Sequence, residues 1–271
     1  MHSVGGAAVR FGGFSRETAC EVFRRYASRF DVSDPKVALK LEHTFKVAAL
    51  CDEIARSEGL REGDVDLAWL CGLLHDIGRF EQLRRWGTFR DLPEAGHAKI
   101  GVEVLEGVEG ALMADFCKDA EWSAIAMRAV GLHSALRLPE GLDARTRMFC
   151  EIVRDADKVD IVRVFSASDC ESVLGLTPDG FSDGSISDAA MAGFEEGRCL
   201  GPQDRQADLD GLVGVICLVF EIVNPSAHAA LKRLGYLNNL LMKPFGLIPS
   251  FSTPDTQAKW REISNTFGVE T

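Results

Sequence analysis

Four of the six histidines fall on stretches with helical periodicity: His43, His75, His97 and His133, with His2 and His228 standing apart. His75 is followed directly by Asp76, and a later acidic residue, Asp157, sits in Arg154-Asp155-Ala156-Asp157-Lys158. Imidazole nitrogen and carboxylate oxygen are ligands that zinc, manganese and ferrous iron all accept, so such a set gathered in one place is a divalent-metal site. Taken singly, each histidine is more often a satisfied core or surface residue, and the metal reading rests on convergence. Buried aspartates are costly to leave ionised, and a dication offsets that cost more fully than one lysine can.

The elements that must bring these residues together read as helices. Alternating strand patterns are scarce, so the fold class is all-α. The first helix spans 15–30, with Ser15 as N-cap and Ala19, Val22, Phe23 and Tyr26 on one stripe. A second spans 35–58, with Pro35 in its first turn and His43, Val47, Leu50 and Ile54 inward. A third runs from 62 to near 78, where Gly78 marks its end. Helices opening at Pro93, over 121–133 and over 143–165 carry His97, His133 and Asp157. Adjacent His75 and Asp76 would diverge by about 100° inside a helix, but at a helix end both can turn toward one centre. A turn-rich stretch, 179–187, separates these elements from helices near 187–196, 204–222, 225–241 and 255–267.

Composition narrows the function classes. The 30 Lys and Arg against 41 Asp and Glu give a net charge of -11, the wrong sign for gripping a nucleic-acid duplex. Sixteen Phe against 2 Tyr favour core filling over a base-stacking platform. The 8 cysteines contain no Cys-x-x-Cys and several lie in apolar runs, which suits reduced thiols in a cytoplasmic protein. The Gly-rich stretch 1–14 has no signal-peptide core and reads as a flexible leader, and the apolar run 211–220 is too short to cross a bilayer. No Walker A loop, dinucleotide-binding glycine motif or Gly-x-Ser-x-Gly elbow occurs, which sets those enzyme classes aside.

The order of Leu41-Glu42-His43-Thr44, then Leu73-Leu74-His75-Asp76-Ile77-Gly78-Arg79-Phe80, then His97, His133 and Asp155-Ala156-Asp157-Lys158, resembles the HD superfamily of metal-dependent phosphohydrolases. The resemblance covers about residues 36–165. It implies a helical bundle, here 15–178, with 187–271 as a C-terminal helical extension or cap. It further implies that His43, His75, Asp76 and Asp157 bind one metal and that His97 and His133 are the added ligands of a binuclear site bridged by Asp76. The ions would be one or two of Mn, Fe, Zn, Co, Ni or Mg. Asp76 and His75 are then the catalytic pair, and a metal-activated hydroxide attacks the phosphorus of a small phosphorylated substrate, a nucleotide among the options. His133 is followed by Ser134, so the double histidine and Gly-Tyr-Pro signature of the cyclic-di-GMP phosphodiesterase branch are missing.

Arg79 and Lys158 are expected to hold substrate phosphate or neighbouring carboxylates. Arg84 and Arg85 read as a solvated face partnered by Glu81 and Asp91, and Lys46 as a surface cation. Two other functions share the ligand order: a di-iron oxygenase resembling inositol oxygenase, and a non-catalytic metal-binding sensor. The partner set is one small phosphorylated molecule, no duplex and no membrane. The stretch 211–223 suits a cleft cover, a core element or the face of a homo-oligomer.

Overall fold

The computed structural model describes residues 14–89, 91, 96–107 and 112–269, and the chain divides there into two compact units, 1–154 and 155–271. Among the described residues the secondary structure is helical, without strands, and no helix is long and apolar enough to cross a membrane.

In the first unit, α1 (Arg16–Ala27) starts where Ser15 accepts a hydrogen bond from the Thr18 amide, and it buries the expected stripe of Ala19, Val22, Phe23 and Tyr26. Phe14, assigned to the leader by its sequence setting, is instead buried, its ring centroid 5.5 Å from that of Trp122. α2 (Pro35–Ser57) opens with Asp34 capping the Lys36 amide and Pro35 in its first turn. α3 (Glu62–Leu74) is apolar nearly all round and lies along α2. A Cβ on Gly72 would come within 2.8 Å of the Ala48 Cα, so the two helices meet backbone to backbone.

Gly78 does not end a helix. The chain breaks only at His75 and Asp76, then resumes as α4 (Ile77–Trp86) with Gly78 inside its first turn. The reason for the glycine is contact: a Cβ there would run into the His97 carbonyl and the Gly101 amide of α5 (His97–Glu106). The buried Tyr26 hydroxyl donates to the Ile77 carbonyl at 3.3 Å, which ties the start of α4 to α1. α6 (Leu112–Phe116) is short, and α7 (Ala120–Leu132), capped by Asp119, packs on α3 and α5. Pro93, expected to open the helix bearing His97, lies outside the described residues, and α5 itself begins at His97. α8 (Ala144–Ala167) carries the chain from the first unit into the second.

The second unit continues with α9 (Cys170–Leu174), α10 (Pro178–Asp183), α11 (Asp188–Glu195), α12 (Asp210–Cys217), α13 (Pro225–Leu234), α14 (Tyr236–Met242) and α15 (Pro254–Thr266). The stretch 179–187 is therefore only partly turn: Thr177 accepts from the Gly180 amide and Pro178 sets the first turn of α10, leaving 184–187 between helices. The helix expected over 204–222 is shorter, because the buried Asp210 carboxylate takes the Gln206 and Ala207 amides that a longer helix would have used. The one expected over 225–241 is broken at Gly235, whose φ of 68° lies in the left-handed region. Phe181, Phe251 and Trp260 form an aromatic core, with centroids 5.4 Å and 5.7 Å apart along that chain.

Candidate metal centre

The break between α3 and α4 aims two consecutive side chains at one point. His75 keeps helical backbone angles (φ -51°, ψ -45°), and Asp76 leaves them (φ -103°, ψ 16°). α2 contributes His43, the first residue of α5 is His97, and the C-cap of α7 is His133. All five side chains are buried, none more than 4% exposed.

Asp76 sits at the middle of the histidines, and its two oxygens face different pairs. Oδ1 lies 3.5 Å from Nε2 of both His97 and His133. Oδ2 lies 3.5 Å from His43 Nε2 and 3.7 Å from His75 Nε2. Within each pair the nitrogens are also close, at 3.2 Å for His43 and His75 and 2.8 Å for His97 and His133.

The outer nitrogens determine which way the lone pairs point. His75 Nδ1 is 2.7 Å from the Gly72 carbonyl and His133 Nδ1 is 2.7 Å from the Val130 carbonyl. A carbonyl only accepts, so each Nδ1 carries the proton and each Nε2 presents a lone pair. His97 Nδ1 lies 2.8 Å from both Asp91 oxygens, with the same consequence. Lone pairs thus face lone pairs around a carboxylate, an arrangement that a cation reconciles. A second proton on His97 is disfavoured, because burial lowers its pKa despite the Asp91 hydrogen bond and the Asp76 charge. Burial also works to raise the pKa of Asp76, but the charges of Lys40 and Arg79 oppose it, and the carboxyl is held well below the usual carboxylate range. The donor set therefore fits divalent ions. Within the first unit, Asp76, His97 and His133 could together hold one, with His43 and His75 on the other side of Asp76; Asp157 lies on α8 in the second unit.

Four residues around these ligands had no place in the sequence reading of the site. Asp91 accepts from the His97 amide at 3.1 Å as well as from its ring, and Gln82 donates to the same oxygen at 2.9 Å. Burial would raise the Asp91 pKa, but the hydrogen bonds from the His97 ring and amide, with the Arg79 charge, depress it strongly. Lys40 places Nζ 2.7 Å from Asp76 Oδ2. Arg154 donates to the carbonyls of Leu132, His133 and Ala135, closing the C-terminus of α7 where His133 sits. Lys40 and Arg154 each lie three residues before a proposed ligand on a helix, a same-face spacing that could have flagged them. Asp91 and Gln82 offer no such signal.

The two cations expected at substrate are engaged within the protein. Arg79 Nη1 donates to the Phe89 carbonyl at 2.5 Å and lies 3.2 Å from Asp91, and its Nε is 3.4 Å from Asp76 Oδ1, so it braces both carboxylates. Lys158 is 7% exposed and donates to the Glu221 carbonyl at 2.8 Å, with Asp155 at 3.6 Å. Arg84 and Arg85 pair with Glu81, and Lys46 with Glu42, as surface groups should, but Asp91, expected as the other partner of the arginines, faces His97, Gln82 and Arg79 instead.

Residues 41–162 match the HD domain family, whose superfamily consists mostly of metal-dependent hydrolases. No curated protein and no solved structure matches the chain. The interval runs from two residues before His43 to five past Asp157 and so contains all six proposed ligands; over it, the chain is similar to the HD domain.

Proposed function

We propose that this protein is a phosphohydrolase that cleaves a phosphate ester of a small molecule, a nucleotide among the candidates, using two divalent ions. His43, His75, Asp76 and Asp157 would hold one ion, and Asp76, His97 and His133 the other. The observation that carries this reading is the orientation of Asp76, each of whose oxygens faces a different histidine pair, as a bridging carboxylate must. Bound ions would supply Lewis acidity toward a phosphoryl oxygen and a water made acidic enough to attack at neutral pH.

The chain's own residues do the positioning. Nδ1 contacts to Gly72, Val130 and Asp91 hold three imidazoles in the tautomer that points Nε2 inward. Asp91 raises the basicity of His97 and fixes its ring, while Arg79 holds Asp91 and Asp76 in register. The burial of all five ligands of the first unit excludes bulk water and strengthens each electrostatic contact. A cytoplasmic setting suits the 8 cysteines, all free thiols.

The test is elemental analysis of the purified protein followed by a screen of nucleotides and sugar phosphates, as mono- and diesters, with Mn, Fe, Zn, Co, Ni and Mg added in turn. Phosphate-ester cleavage that chelation abolishes and metal restores is the expected result. Metal-loaded protein that cleaves no phosphate ester, but turns over aerobically with ferrous iron, would overturn the hydrolase assignment in favour of an oxygenase.

A further inference from the structure

Lys40 lies one helical turn before His43 on α2, and its ammonium takes the same Asp76 oxygen that faces His43 and His75. An ion held by those two histidines and Asp76 Oδ2 would therefore sit within a few ångström of Nζ. At that separation a dication and an ammonium repel well above thermal energy, even at the effective dielectric of a protein site. The lysine stem is flexible and its side chain is 17% exposed, so the head can swing outward without moving α2. In its present place Nζ is already 5.5 Å from the centre of the half-buried Phe89 ring, and the Arg79 guanidinium carbon is 5.9 Å from the same ring. Arg79 is held there by the Phe89 carbonyl, Asp91 and Asp76, so of the two cations near this ring Lys40 is the one whose head can turn to a compact anion at the edge of the metal centre.

We propose that Lys40 determines specificity by exchanging partners: it competes with the ion for Asp76 Oδ2 and, displaced by that ion, binds the phosphate of the substrate. This rests on the phosphohydrolase reading above. It makes two linked statements about binding. The lysine weakens metal affinity when no phosphate is present, and metal and phosphate favour each other because each takes a partner that the other releases.

The test is calorimetric titration of Mn2+ into wild type, Lys40→Met, Lys40→Arg and, as a charge control on the same helix, Lys46→Met, followed by inorganic phosphate into the Mn2+-loaded proteins. Lys40→Gln serves if the methionine variant does not fold. Lys40→Met should bind Mn2+ about tenfold more tightly and phosphate about tenfold more weakly, with Lys40→Arg close to wild type in both and Lys46→Met unchanged. Unchanged Mn2+ affinity, or unchanged phosphate affinity, in the folded Lys40 variant overturns the exchange. A wild type that takes up none of the ions screened above overturns the metal-site reading instead, so the two failures are distinguishable.

Discussion

Asp76 in the first unit and Asp210 in the second are both buried aspartates, at 3% and 0% exposure, and their surroundings are opposite in kind. Asp210 accepts from the amides of Ser187, Gln206 and Ala207 and from the Ser187 hydroxyl, all between 2.7 and 2.9 Å. Its charge is satisfied by its own chain, and it needs nothing from outside. Asp76 is ringed instead by four imidazole nitrogens at 3.5 to 3.7 Å, three of which belong to rings whose outer nitrogen already holds the proton. Burial alone therefore does not mark a functional carboxylate. The mark is a set of imidazole lone pairs turned toward the carboxylate, beside the Lys40 and Arg79 cations that already pair with it, a donor set that suits an ion.

Exchanging the charge of each aspartate for an amide separates the two roles most sharply. Asp76→Asn should lower metal-dependent turnover by about a thousandfold or more, the scale expected when transition-state electrostatics are removed, and should abolish uptake of the second ion. Stoichiometry by elemental analysis checks the binding half. Asp210→Asn should leave metal content unchanged and cost about 3 kcal/mol of stability, since hydrogen bonds to a charged acceptor contribute about 1.5–3 kcal/mol each. A urea titration reads that cost as a lowered midpoint at constant slope. Metal lost from Asp210→Asn, with the fold intact, would erase the distinction.

Gly78→Ala probes the scaffold behind the first aspartate. Its Cβ would press on the α5 backbone at His97 and Gly101, an overpacking that costs about 1–3 kcal/mol and shifts His97 relative to Asp76. Both a lower denaturation midpoint and weaker binding of one ion are expected; a stable variant with normal stoichiometry would show that α4 and α5 have slack. The smallest effect belongs to Asp91→Asn, which keeps the shape and removes the charge behind His97. Metal affinity should fall about tenfold by competitive chelation, the lower end of what partners of metal-bound histidines contribute, with thermal stability nearly unchanged.

Much of the first unit was legible in the chain. The apolar stripes of α1 and α2, the cap at Ser15, Pro35 in the first turn of α2 and the helix end near His75-Asp76 are local chemistry, written within four residues of where they act. Gly78 was misread because a glycine that ends a helix and one that admits a neighbouring backbone are the same letter, and only the position of α5 tells them apart. The second unit was less legible for a related reason. The side chain that stops a helix near 207, Asp210, does so by folding back on amides that residue spacing alone also allows to form a helix.

By itself, then, the sequence determined the element types and the ligand inventory: four helix-borne histidines, a His-Asp doublet and a late aspartate, in an order that matches the HD domain across 41–162. It determined them because capping, periodicity and ligand chemistry are properties of a residue and its near neighbours. Tertiary packing alone decided that Asp76 turns one oxygen to each histidine pair, that Asp91 stands behind His97, and that Lys40 reaches Asp76. Those are relations between helices brought together only by the burial of their apolar faces, and no local pattern encodes the distance at which two such faces come to rest.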